Sequence, residues 1–98
     1  MTYWKYTFNG WENRETWLVN LWLTNEPGTE EDLRMLAQLD ASVQWRAERL
    51  HDYVDNLMPL DESGVWTITG MAGDLLRTAL ESVNWREIVE NHEHDDQD

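Results

Sequence analysis

Asn9-Gly10-Trp11-Glu12-Asn13-Arg14-Glu15-Thr16-Trp17-Leu18-Val19-Asn20-Leu21-Trp22 reads as a turn, a cap and a helix, in that order. Asn-Gly is a dipeptide of tight turns, because both residues tolerate the backbone angles a reversal demands. Asn13 is placed as a helix N-cap, and Glu15 falls in the first turn, where a carboxylate meets the positive end of the helix dipole. Trp17, Leu18, Leu21 and Trp22 then recur at i, i+1, i+4 and i+5, one helical face. Val19 and Leu23 widen that face, so the spacing predicts a central, largely buried helix with Trp17 and Trp22 in the core. It should stop near Asn25, because Glu26 precedes Pro27 and Gly28 follows.

Downstream, Thr29-Glu30-Glu31-Asp32 opens a second helix with a capping hydroxyl and three acids at its positive end. Leu36, Val43, Leu50 and Leu57 recur every seven residues, with Ala47 and Val54 in the same stripe. One continuous helix from about 30 to 57 accounts for that register. A break near Asp40 to Ser42 is the alternative, since Asp40 lies at the edge of the stripe. Met58-Pro59 ends the segment either way. Residues 59–65 form a loop. Residues 2–8 and 65–69 are β-favouring and are candidates for a minor two-stranded β pair. From Gly70 to Ser82, Met71, Leu75, Leu76, Ala79 and Leu80 stand at helical spacing, which Val83 continues. Asn84-Trp85-Arg86-Glu87 is a further cap with a glutamate at N3, opening a short helix through Ile88 and Val89. The expected fold is mainly α, a small single-domain helical fold over residues 1–91, with 92–98 as a flexible acidic tail.

The chain is 98 residues long, with 20 Asp and Glu against 7 Lys and Arg, a formal net charge of −13. Such a chain is repelled by nucleic acid and by anionic lipid, and suits a basic partner. Cysteine is absent, which excludes disulfide scaffolds, thiol catalysis and Cys-ligated zinc. No apolar run approaches the ~20 residues of a membrane span, and Met1-Thr2-Tyr3-Trp4-Lys5 lacks the order of a signal peptide. An intracellular protein is expected.

Motifs of catalysis are missing: there is no G-x-S-x-G, no phosphate-binding glycine loop and no H-E-x-x-H. Pairs such as Asp61/Glu62 arise from composition alone in so acidic a chain, so an enzyme is not expected, nor a cofactor. His92-Glu93-His94-Asp95-Asp96 could chelate a divalent ion, but nothing preorganises ligands on a tail. His51 reads as a residue flanking the apolar stripe. Trp11 and Trp85 flank caps. Trp4, Trp45 and Trp66 are placed by no pattern and form a candidate aromatic patch for a partner.

The acids carry the main functional signal. At about 100° per residue, Glu48, Asp52 and Asp55 point away from Leu50, Val54 and Leu57, at axial steps of about 6 and 4.5 Å. Glu30 projects to the same side if the helix is continuous. Phosphates of one DNA strand advance about 3.4 Å each along the axis, so the match is one of charge density and not of register. A one-sided row of carboxylates on a rigid helix can occupy a groove lined with Lys and Arg and compete for it with nucleic acid. The ordinary meaning of such a row is a solvated face, and adaptation to high salt also favours acids over lysines. The candidate contact residues are Glu30, Glu31, Glu48, Asp52, Asp55, Asp61 and Glu62.

The stretch Asn9–Trp22 resembles small phage and mobile-element proteins that share an N-G-W-x-N-x-E-T-W-x-V-x-L-W opening, and Val83-Asn84-Trp85-Arg86-Glu87-Ile88 is similar to the end of the same group. The two stretches cover about a fifth of the chain. Size, acidity and opening together also resemble anti-CRISPR inhibitors of the type I-C class. That resemblance implies a stoichiometric inhibitor in the host cytoplasm, acting on the type I-C Cascade complex through its large Cas8 subunit. It brings no catalytic residues, and Asn13, Glu15, Thr16 and Trp17 fit a capped helix as well as a binding role. The alternatives are a DNA-mimic inhibitor of a restriction enzyme and a phage structural or adaptor protein that binds through an aromatic patch.

Overall fold

The computed structural model describes residues 8–93. Five helices run through them: α1 Arg14–Thr24, α2 Pro27–Ala37, α3 Val43–Asp55, α4 Gly70–Glu81 and α5 Trp85–Asn91. The mainly α expectation holds. Residues 2–7 of the candidate β pair lie outside the described residues. The ends that are described pair elsewhere, Phe8 bridging Trp11 and Trp66 bridging Leu60.

Four of the five helices start where a side chain satisfies a free N–H group or where that need is absent, while α4 follows Thr69 with no side-chain cap. Asn13 Oδ1 accepts from the Thr16 N–H at the start of α1, and Asn84 Oδ1 from the Glu87 N–H at the start of α5. Pro27, which has no N–H to satisfy, opens α2. The continuous 30–57 helix is corrected: the chain breaks between Ala37 and Val43. Ser42 Oγ caps α3 by accepting from the Trp45 N–H at 3.0 Å. From the first turn of α3, the Arg46 guanidinium reaches back to the Ala37 and Ala41 carbonyls. Carbonyls left free at the end of α2 thus gain a cationic donor, which makes the break self-sustaining. Across the resulting hairpin, Tyr53 O–H donates to Asp32 Oδ2 at 2.8 Å.

The core lies among α2, α3 and α5. Leu33, Leu50, Ile88 and Val89 are fully buried, each aliphatic contributing about 1.5–3 kcal/mol relative to exposure. On α1 the buried residues are Thr16 and Leu23, with Val19 packed against the core. This corrects the expected face: the helix is rotated so that Trp22 stands 65% exposed and Trp17 is half-buried, edge-on to Phe8 at 4.9 Å. Gly73 lies against the Ile68 carbonyl, where a Cβ would sit 2.6 Å from the oxygen, so the approach of that loop to α4 requires glycine.

The first two residues of the expected tail are held against the domain. His92 Nε2 lies 2.8 Å from Asn20 Oδ1, and Glu93 pairs with Arg46 at 3.0 Å. No helix among the described residues is long and apolar enough to cross a membrane.

Candidate functional site

The row on α3 is held rigidly. Ala47, Leu50 and Val54 are buried beneath it, which turns Glu48 and Asp52 outward into solvent and leaves Asp55 half-buried on the flank. The row is not purely anionic. Arg49 lies 3.9 Å from Asp52, and His51 Nε2 lies 3.6 Å from Asp55. Gln44 donates to Glu48 at 2.9 Å. Three carboxylates against one arginine leave the face negative at neutral pH.

The other candidate acids do not extend the row. Because the chain folds back at residues 38–42, Glu30 and Glu31 lie on the other arm of the hairpin, whose Asp32 meets Tyr53 of α3, instead of continuing the row. Both are exposed, and Glu31 pairs with Arg34. Asp61 is engaged in its own loop: Oδ1 accepts from the Ser63 and Val65 N–H groups at 2.8 and 3.0 Å, a side-chain-closed turn. Glu62 is exposed beside it.

Folding adds acids that the helical projection had no means of finding. Glu12 and Glu81 join Glu48 around an open cleft of about 390 Å³ that also holds Arg86. Glu81 further shares a second cleft with His51 and Asp55. These residues come from separate segments, so periodicity within one helix carries no trace of them.

The residues of the motif have a different use. Thr16 is fully buried. Its hydroxyl donates to Asn13 Oδ1 at 2.7 Å and accepts the Asn84 N–H at 2.8 Å. Asn13 Nδ2 donates to the Ser82 carbonyl at 2.7 Å. The Glu12 N–H donates to Glu87 Oε1 at 3.0 Å, and Asn84 Nδ2 donates to Glu12 Oε1. The caps of α1 and α5 thus interlock into one clasp that joins the two stretches of the motif. Among the described residues no buried side-chain polar atom lacks a partner.

Of the candidate aromatic patch, Trp45 and Trp66 are among the described residues. Trp4 lies outside the described residues. Trp45 lies under Arg49 at 5.7 Å, and Trp66 under Arg77 at 4.2 Å. Trp85 stacks on His51 at 4.7 Å. The tail ligand set falls partly beyond the described residues, and among the described ones no group of three or more His, Asp or Glu is placed to hold a metal.

A mainly α domain with an internal clasp and an acidic α3 face is the class of protein these features define. Residues 4–95 match a family described only as a family of unknown function, DUF7249, and since the match spans nearly the whole chain, the protein belongs to that family. No curated protein and no solved structure matches it.

Proposed function

We propose that this protein is a non-catalytic inhibitor that occupies a Lys- and Arg-lined nucleic-acid groove of a host defence complex, with carboxylates standing where backbone phosphates would lie. The observation that carries this reading is the outward face of α3, where Glu48 and Asp52 are exposed and Asp55 flanks them on a helix fixed by three buried side chains. Glu12 and Glu81 broaden the negative surface beside Glu48. The net charge of −13 steers such a surface toward a basic groove. Resemblance to type I-C anti-CRISPR inhibitors supports Cascade, through its Cas8 subunit, as the target, and a restriction enzyme is the alternative of the same chemistry.

Exposed ion pairs contribute about 0.2–1 kcal/mol each, so changing Glu48, Asp52 and Asp55 together to Ala should weaken binding about tenfold with the fold intact. The test is a gel shift of labelled duplex with purified type I-C Cascade. Pre-bound parent protein should stop duplex binding, less so as salt shortens the screening length below about 8 Å. Simultaneous binding of protein and duplex, or full inhibition by the triple variant at matched salt, would refute the reading.

A further inference from the structure

The face of α1 that the core does not use borders an apolar groove. Leu18 and Trp22, one turn apart, form one wall of an open groove of about 240 Å³; Leu76 and Ala79 of α4 form the other, and Leu57 closes one end. The floor is made by core residues of α3 and α4, and Glu15 is the one charged side chain lining it. On the α1 wall Trp22 is 65% exposed and Leu18 is 40% exposed. An apolar trough between two helices, walled by an exposed tryptophan, is more than the scattered surface leucines that need no explanation.

We infer that this groove is a docking site for an amphipathic helix of a partner protein, with an apolar stripe and flanking Lys or Arg residues. Shape and lining call for the stripe: a helix laid in such a trough places residues at i, i+3 or i+4, and i+7 against its walls, and Trp22 supplies the large ring that anchors interfaces. The charge calls for the flanks. Glu15 is at the wall, and the chain as a whole carries −13, so cationic flanks are attracted from outside the groove while acidic ones are repelled. The same charge disfavours a second copy, since pairing would bring two strongly negative chains face to face. The groove lies on α1 and α4, away from the outward face of α3, and the inference stands independently of the proposed function.

The test uses the full chain and a fluorescein-labelled Leu/Lys peptide of about 15 residues, long enough to form a marginal helix in water. Its leucines are spaced for one helical face. A scrambled peptide of the same composition and a Leu/Glu peptide with the same leucine spacing are the controls. By fluorescence anisotropy, the patterned Leu/Lys peptide should bind at least about tenfold tighter than the scrambled one, a difference of about 1.4 kcal/mol. Trp22→Ser and Leu18→Ser, both at exposed positions on the groove wall, should each remove most of that advantage while the circular dichroism spectrum stays that of the parent. Equal binding of patterned and scrambled peptides would overturn the inference, as would equal binding of the Leu/Glu peptide or unchanged binding by both serine variants. It would also be overturned by light scattering that shows a dimer which Trp22→Ser dissociates. A tenfold gain in affinity when Tyr3, Trp4 and Tyr6 are changed to Ser would assign the groove to the chain's own first residues instead.

Discussion

At its N-terminal end α1 is tied down by polar atoms, and along its outward side it is apolar and bare. Thr16 is a polar residue with no exposure, held between Asn13 and Asn84. Trp22, six residues on, is one of the two tryptophans of the helix and stands mostly in solvent. Burial here follows the match of hydrogen-bonding partners as much as hydrophobicity. A threonine whose hydroxyl donates to Asn13 three residues back and accepts from Asn84, 68 residues away, is drawn fully inside, and its position sets the rotation of the helix. That rotation leaves Leu18 and Trp22 facing outward beside α4.

The strongest way to break this comparison is Thr16→Val, which keeps the shape and removes the hydroxyl. The Asn84 N–H and Asn13 Oδ1 lose their shared partner, and an unsatisfied buried group costs about 1–3 kcal/mol. Urea unfolding should show a midpoint shift of that size with an unchanged slope. A loss below about 0.3 kcal/mol would mean that the clasp does not hold the ends of the chain.

Tyr53 sharpens the comparison on the α2–α3 side. Burial, then the hydrogen bond to Asp32 and the Asp32 charge, push the phenol up from 10.0 to about 12. The folded state therefore holds the proton more tightly than the unfolded state. The resulting stabilisation is fully present below about pH 10 and is lost as pH rises through about 12. Tyr53→Phe should flatten unfolding free energy across that window, whereas an unchanged slope would show that the Asp32 contact does not persist in solution.

The smallest effect is expected at the bare side of α1. Trp22→Ser should change stability by no more than about 0.5 kcal/mol, the range for surface positions, against the several kcal/mol that truncating a buried ring costs. A large loss in the thermal midpoint would place Trp22 back in the core.

What was legible in the sequence follows the same division. Local chemistry was readable: Asn13 and Asn84 as caps, the stop at Asn25 and the start of α4 all depend on neighbours within a few residues. The break at 38–42 was present only as an alternative, because a seven-residue repeat is kept by one long helix and by two helices meeting at an elbow. Arg46 settles it by reaching the Ala37 and Ala41 carbonyls, a contact that periodicity does not encode. The face of α1 was misread because hydrophobic spacing weights Trp17 and Trp22 and gives none to Thr16, whose partner is far along the chain. The outward placement of Glu48 and Asp52 was legible from 3.6-residue geometry, while the approach of Glu12 and Glu81 to Glu48 required the tertiary fold.

The central proposal is that Asn13, Thr16 and Asn84 hold the structure together while Glu48, Asp52 and Asp55 meet the partner. Its most direct test is a calorimetric titration of purified type I-C Cascade, at a temperature where all chains are folded, with the parent, Thr16→Val and the Glu48/Asp52/Asp55→Ala triple variant. The account predicts parent-like affinity for Thr16→Val and about tenfold weaker binding for the triple variant, the sum of three exposed ion pairs of about 0.2–1 kcal/mol each. Parent-like binding by the triple variant, with loss of binding by a folded Thr16→Val protein, would contradict it.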